Sequence, residues 1–188
     1  MKDLKMHCHN NVCRNNMPNI TLNNYIKSLS LENKDVEIRK LSNLFPEVKE
    51  YYQAKLSGVG ETTLLEKYIR VINKEFRSDD HPGRARLSIA RKAVNDFIKI
   101  CTNDMNQAEI MIQYVEAGIR FTNAYGDIDE PFYNSMTAML NKALKFISLK
   151  KVPDIFKDRV AKMVSSTEHI GWGFHDEISE LYLQHFQK

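Results

Sequence analysis

Cysteine, glycine, proline and long apolar runs are all scarce in this chain of 188 residues. Three Cys are too few for the disulfide framework of a small secreted domain. No apolar run approaches the ~18 residues that a membrane-spanning helix needs. The polar first residues, 1–17, lack the apolar core of a secretory signal. We therefore expect a cytoplasmic protein that makes no membrane contact.

Alternating apolar and polar runs of strand length are also missing, which argues against a sheet. The seven Gly and five Pro lie mostly where a helix would start or stop. Apolar residues recur at helical spacing and predict about eight helices. The sequence has no internal repeat of fixed period, which disfavours a solenoid. We therefore expect an all-α fold, either a compact antiparallel bundle or an orthogonal helical array.

The pattern of breaks predicts a flexible tail over residues 1–18 and a single helical domain over 19–188. The loop 78–83 is the clearest break and suggests a boundary between two sub-bundles at 78–84. Gly58 and Gly60 are expected to end one helix, and Thr62 or Thr63 to start the next.

The stretch from Asp104 to Tyr125 is expected to form the central helix, capped by Asp104. Apolar residues cover most of its circumference, which is typical of a helix surrounded by others. They form two rows, one of Ile112, Val115, Ile119 and Thr122 and the other of Met111, Tyr114, Gly118, Phe121 and Tyr125. Glu116 and Arg120 within it are spaced for an i,i+4 ion pair.

Positive charge is concentrated in the first part of the chain. The net charge is +3, with 18 Lys/Arg against 12 Asp/Glu in residues 1–100 and 9 against 12 in residues 101–188. The densest basic stretch holds a single acid and the cations Arg84, Arg86, Arg91, Lys92 and Lys99. Such a helix face can hold nucleic acid in a salt-dependent way, although no stacking aromatic residues interleave with it. The structural alternative is an ordinary solvated face.

Two polar corners are candidates for a functional site. One lies between the helix end at Gly126 and the helix start at Pro131, and the other surrounds the only Trp. The candidate residues are Arg120, Asn123, Tyr125, Asp127, Glu130, Tyr133, Trp172, His175 and Asp176. In a functional reading, His175 acts as a general base with an acid of the 127–130 loop, or both bind a metal. In a structural reading, the acids cap helix starts and favour their dipoles.

Other potential ligand groups have structural explanations. Asp127, Asp129 and Glu130 could hold Mg²⁺ or Ca²⁺, but the loop is too short for an EF-hand. The group formed by His7, Cys8, His9 and Cys13 matches the spacing of no structural zinc module. Cys101 lies on an apolar stripe and is expected to be buried. We therefore assign no metal and no cofactor from the sequence.

Three segments carry a family resemblance: 44–52 (Leu-Phe-Pro-Glu-Val-Lys-Glu-Tyr-Tyr), 120–135 (Arg-Phe-Thr-Asn-Ala-Tyr-Gly-Asp-Ile-Asp-Glu-Pro-Phe-Tyr-Asn-Ser) and 171–177 (Gly-Trp-Gly-Phe-His-Asp-Glu). They resemble segments of a bacterial family of small all-helical proteins of unknown function. The likeness covers residues 21–186. It implies a bacterial, cytoplasmic, helical protein and transfers no catalytic residue, ligand or partner.

Three hypotheses follow. The first is a non-enzymatic helical interaction module that contacts a protein or a nucleic acid, the latter through the basic face. The second is a hydrolytic or metal-dependent enzyme built from the 125–133 and 172–176 corners. The third is structural, with the apolar rows forming a homo-oligomer interface.

Overall fold

The computed structural model describes residues 21–56, 60–76, 85–152 and 154–186. The chain divides into two compact units, Met1–Leu44 and Phe45–Lys188. The described residues form nine α-helices rather than about eight, and no strand, so the all-α prediction is confirmed. None of these helices is both long and apolar enough to cross a membrane. The predicted tail and the boundary at 78–84 lie outside the described residues and stay predictions.

The first unit contributes two described helices, α1 (Leu22–Ser28) and α2 (Leu31–Leu44). Each begins after a hydroxyl residue that accepts a hydrogen bond from a backbone N–H of the first turn, which is the usual N-cap arrangement. Thr21 Oγ1 accepts from Asn24 N, and Ser30 Oγ accepts from Asn33 N at 3.2 Å. Neither helix contains a buried residue.

The second unit contains the hydrophobic core. Its elements are α3 (Pro46–Leu56), α4 (Gly60–Phe76), α5 (Leu87–Ile100), α6 (Asp104–Tyr125), α7 (Glu130–Lys150), a 3-10 turn (Asp154–Phe156), α8 (Lys157–Ser165) and α9 (Phe174–Phe186). Helix α6 packs against α4, α5 and α7, while α9 packs against α7 and α8. The prediction that the helix ending at Tyr125 is central is therefore confirmed.

The two apolar rows predicted on α6 are buried, except that Tyr125 at the helix end is 47% exposed. A glycine lets α6 and α7 approach closely, because a Cβ added at Gly118 would overlap Met136 Sδ. Phe76 of α4 packs its ring against those of Phe121 and Phe132. Three helices thus share one aromatic core.

Two helix starts differ from the prediction by one to three residues. The N-cap of α6 is Asn103, whose side-chain oxygen accepts from Asn106 N at 3.1 Å, and Asp104 is the first helical residue. Both residue types cap well, so their order alone does not decide between them. Helix α4 begins at Gly60 rather than at Thr62 or Thr63. Glu61 in its first turn accepts hydrogen bonds from the backbone N–H and the hydroxyl of Thr102, a contact distant in sequence.

Candidate binding site

The corner between α6 and α7 has the structure that its Gly, Asp and Pro residues predict. Gly126 ends α6 with a φ of +91°, a conformation that side chains disfavour. Asp129 is the N-cap of α7 and its Oδ1 accepts from Phe132 N at 2.9 Å. Pro131 lies in the first turn, where a missing N–H costs nothing. Asp129 therefore has a capping role in this corner.

The buried hydroxyl of Tyr133 holds the same corner together. It donates to Asp127 Oδ1 at 2.8 Å and accepts from Ile128 N at 3.3 Å. It also lies 2.7 Å from the hydroxyl of Thr122. Burial raises the pKa of the Tyr133 phenol, and the hydrogen bond to the carboxylate of Asp127 acts in the same direction. Asp127 and Tyr133 thus serve as mutual partners.

The two polar corners are neighbours, a question that the sequence left open. Asp127 Oδ2 lies 3.0 Å from the point where a Cβ on Gly171 would stand. The rings of Tyr133 and Phe174 pack with centroids 5.0 Å apart. Between α7 and α9, Thr137 Oγ1 donates to Glu177 Oε2 at 2.8 Å. The adjacency is built from packing and hydrogen bonds inside the second unit.

His175 has its own partner in this region. Thr167 Oγ1 donates to the carbonyl oxygen of Val164 at 2.7 Å and lies 3.0 Å from His175 Nδ1. Because the single hydroxyl proton goes to Val164, Nδ1 is the donor to Thr167, and in the neutral ring Nε2 is then the acceptor nitrogen. Neighbouring Trp172 is 57% exposed and has a φ of +63°. Among the described residues, no three His, Cys, Asp or Glu side chains are grouped to hold a metal ion.

Glu130 and Asp176 are exposed residues of helix first turns, in α7 and α9. Acids at these positions favour the positive end of the helix dipole. Their positions match the structural reading of both corners.

Three of the candidate polar residues line a different feature, a cleft of about 800 Å³ between α4 and α6. Arg120, Asn123 and Tyr125 come from the last turns of α6, and Asn73 comes from α4. The apolar part of the lining consists of Phe76, Ala117, Phe121 and Ala124. Apolar walls with a few polar groups are typical of small-molecule sites of this size.

Arg120 supplies the positive charge of the cleft. Its Nη2 donates to Asn73 Oδ1 at 3.2 Å, and within the described part of the chain it pairs with no carboxylate. The prediction that Arg120 forms an i,i+4 ion pair with Glu116 is wrong. Glu116 instead accepts two hydrogen bonds from Arg159 of α8. Asn73 was missed by sequence analysis, since only the packing of α4 on α6 brings it to Arg120.

Asn123 and Tyr125 form the edge of the cleft near the end of α6. Asn123 Nδ2 donates to the carbonyl oxygen of Ser166 at 3.0 Å, which connects this edge to the end of α8. The Tyr125 ring packs on Phe121 with centroids 5.0 Å apart. Among the described residues that line the cleft, none is acidic.

Comparison with known families gives one match. A family of unknown function, DUF6155, matches residues 17–187. The chain belongs to this family. No curated protein and no solved structure matches the chain.

The DUF6155 match agrees with the resemblance noted in the sequence, which also pointed to a helical family without an assigned function. The matched range includes the cleft and both polar corners. It excludes His7, Cys8, His9 and Cys13, which also lie outside the described residues.

The basic face of α5 carries less unpaired charge than its sequence indicates. Arg84 lies outside the described residues. Arg86 forms two hydrogen bonds of 2.8 Å to the buried carboxylate of Glu75. Lys92 and Lys99 both pair with Asp96, whose pKa is lowered chiefly by the hydrogen bond from Lys92.

Arg91 differs from the other cations of α5. It forms no ion pair or hydrogen bond within the described ranges, and it lines a groove with Lys142 of α7. Cys101, at the end of the same helix, is buried as expected.

Proposed function

We propose that this DUF6155 domain is a non-enzymatic binding module whose α4–α6 cleft takes a small organic anion. The observation that carries the proposal is the guanidinium of Arg120, which has no carboxylate partner in the described residues and lines a cleft with aromatic walls. Arg120 is an exposed residue, so its guanidinium is accessible to a ligand from solvent. Its hydrogen bonds to a carboxylate or a phosphate would be charge-assisted and therefore stronger than neutral ones.

The polar side of the cleft suits a carboxylate or a phosphate. A guanidinium presents a planar set of N–H donors that matches two oxygens of either group. The hydrogen bond to Asn73 engages one Nη2 donor and restrains the orientation of the side chain. Asn73 is thus a positioning residue for Arg120.

The apolar side of the cleft suits a flat, carbon-rich ligand body. Phe76 and Phe121 are nearly buried, so their rings form fixed walls, whereas the ring of Tyr125 is half-exposed. A planar ligand can stack on the exposed ring of Tyr125, which adds about 0.5–1.5 kcal/mol to the burial of its area. The expected ligand is therefore an aromatic or similarly flat anion.

Phenyl phosphate and benzoate are suitable probes, measured by titration calorimetry or amide chemical shifts. The Arg120→Gln variant should lose at least about tenfold in affinity, because it removes a charge-assisted hydrogen bond. Arg70→Gln is the matched control, since Arg70 lies on α4 but lines another groove. The proposal fails if neither probe binds the wild-type protein, or if Arg120→Gln binds as tightly as the control.

The alternative is a hydrolytic or metal-dependent enzyme built from the two corners. The contact of Asp127 with Gly171 supports it, since the acids and His175 belong to adjacent segments. The hydrogen bonds of Asp127 and His175 to Tyr133 and Thr167 support the structural reading instead. Turnover of p-nitrophenyl phosphate or acetate, with and without Mg²⁺ or Zn²⁺, that is lost in His175→Ala would favour the enzyme.

Nucleic-acid contact through the whole basic face of α5 stays a prediction. The ion pairs of Arg86, Lys92 and Lys99 reduce the charge that this face offers to a phosphate backbone. For that reason the cleft, and not the face, is the basis of the proposed function.

A further inference from the structure

A second positively charged feature lies between α5 and α7, separate in its lining from the α4–α6 cleft. It is a groove of about 510 Å³ whose lining includes Arg91 and Asn95 of α5 and Asn134, Ser135 and Lys142 of α7. Arg91 and Lys142 supply one cation from each helix, and none of the lining residues that the structure describes is acidic.

The two cations line the groove from opposite helices. Lys142 Nζ donates to Asn95 Oδ1 at 3.4 Å, which joins α7 to α5 across the groove. Burial raises the pKa of the Tyr114 phenol, and the positive charge of Arg91 acts against that rise. Tyr114 in turn hydrogen-bonds Ser135 of the groove lining at 2.8 Å. Arg91 therefore lies close enough to Tyr114, at the α6–α7 contact beside the groove, for its charge to act on that phenol.

Neither cation has a carboxylate partner in the described residues, in contrast to Lys92 and Lys99 on the same helix α5. The amides of Asn95 and Asn134 and the hydroxyl of Ser135 add hydrogen-bonding groups. The described part of the lining contains no aromatic ring on which a base could stack. The cations, the amides and the hydroxyl together match phosphate oxygens.

We propose that the α5–α7 groove binds phosphate groups through Arg91 and Lys142, independently of the ligand in the α4–α6 cleft. The phosphate can belong to a small molecule or to a nucleic-acid backbone. If it is a backbone, binding should be independent of sequence and should weaken steeply between about 50 and about 200 mM salt.

Two double variants of the full chain with equal charge change test the groove. Arg91→Gln with Lys142→Gln removes the unpaired cations, and Lys92→Gln with Lys99→Gln removes the cations paired with Asp96. The probes are inorganic pyrophosphate, followed by calorimetry, and a fluorescent oligothymidylate, followed by anisotropy. Equal urea midpoints of the two variants would show that both are folded.

The groove variant should lose about tenfold or more in affinity for whichever probe binds, and the control should stay within about twofold. Binding of pyrophosphate alone would indicate a small phosphate ligand, and binding of the oligonucleotide alone would indicate a backbone. An equal loss in both variants would assign binding to the whole basic face and overturn the proposal. Failure of both probes to bind the wild-type protein would overturn it too.

Discussion

The absence of a side chain at Gly118 leaves space that the side chain of Met136 fills. An added Cβ there would overlap the sulfur of the fully buried Met136. We expect Gly118→Ala to lower the free energy of unfolding by about 1–2 kcal/mol, because overpacking outweighs the gain in helix propensity.

A double-mutant cycle isolates this contact. In a Met136→Ala background the obstructing sulfur is absent, so Gly118→Ala should there be neutral or stabilising by up to about 1 kcal/mol. Urea unfolding of the four proteins measures the coupling. Additive effects would mean that the two residues do not limit the approach of α6 and α7.

Removal of the Tyr133 hydroxyl tests how much its hydrogen bonds stabilise the corner between α6 and α7. Tyr133→Phe leaves the backbone N–H of Ile128 and the carboxylate of Asp127 without this partner, and we expect a loss of about 1–3 kcal/mol. Tyr182→Phe is the control, since the Tyr182 hydroxyl forms no hydrogen bond in the described residues. Equal unfolding midpoints for the two variants would contradict the role of Tyr133 in the corner.

Cys101 gives a pH-dependent prediction. Burial raises the pKa of its thiol from 9.0 to about 11, and the thiolate is the reactive form. In a Cys8→Ser/Cys13→Ser background, iodoacetamide should modify the native protein slowly at pH 8 and faster as the pH approaches 11. The raised pKa contributes stability that is complete below pH 9 and is lost as the pH rises through about 11. Rapid native modification at pH 8 would contradict burial.

Among the helix contacts, Arg159 of α8 forms ion pairs with α6. Arg159 donates to Glu109 and Glu116, two residues one heptad apart on α6, and its guanidinium carbon lies 5.6 Å from the ring centroid of Phe156. The two carboxylates raise the pKa of Arg159, so it stays charged. Arg159 thus connects two turns of the central helix to α8.

We expect Arg159→Met to cost about 1–3 kcal/mol, because two half-buried carboxylates lose their partner. Replacing both acids by Gln in the same protein should recover part of that loss, since no uncompensated charge then remains. Chemical unfolding of the single and triple variants tests this. A single variant as stable as wild type would show that Arg159 contributes nothing.

At the scale of the whole molecule, the hydrophobic core belongs to one of the two units. Every buried residue in the described ranges lies at Ala54 or beyond, within the unit Phe45–Lys188. We expect residues 45–188 produced alone to keep a cooperative thermal transition, with a midpoint within a few degrees of the full chain. A fragment without a cooperative transition would show that residues 1–44 are needed for the fold.

Local chemistry explains which features could be read from the sequence. Thr21, Ser30 and Asp129 each cap the helix that follows, because a cap needs only its own side chain and the next turn. The buried rows of α6 also follow from spacing alone. The sequence did not predict that Asn103 rather than Asp104 is the N-cap of α6, since both side chains can accept the same hydrogen bond.

Local sequence patterns suffice to predict the all-α class, helix limits such as the end of α6 at Gly126, and the central place of α6, because periodicity and capping act within a few residues. Which distant side chains meet depends on the packing of the helices. That packing places Arg120 beside Asn73, Glu116 beside Arg159 and Lys142 in the groove lined by Arg91. These pairs are separated by tens of residues, and their contacts depend on how whole helices pack, which no local pattern encodes.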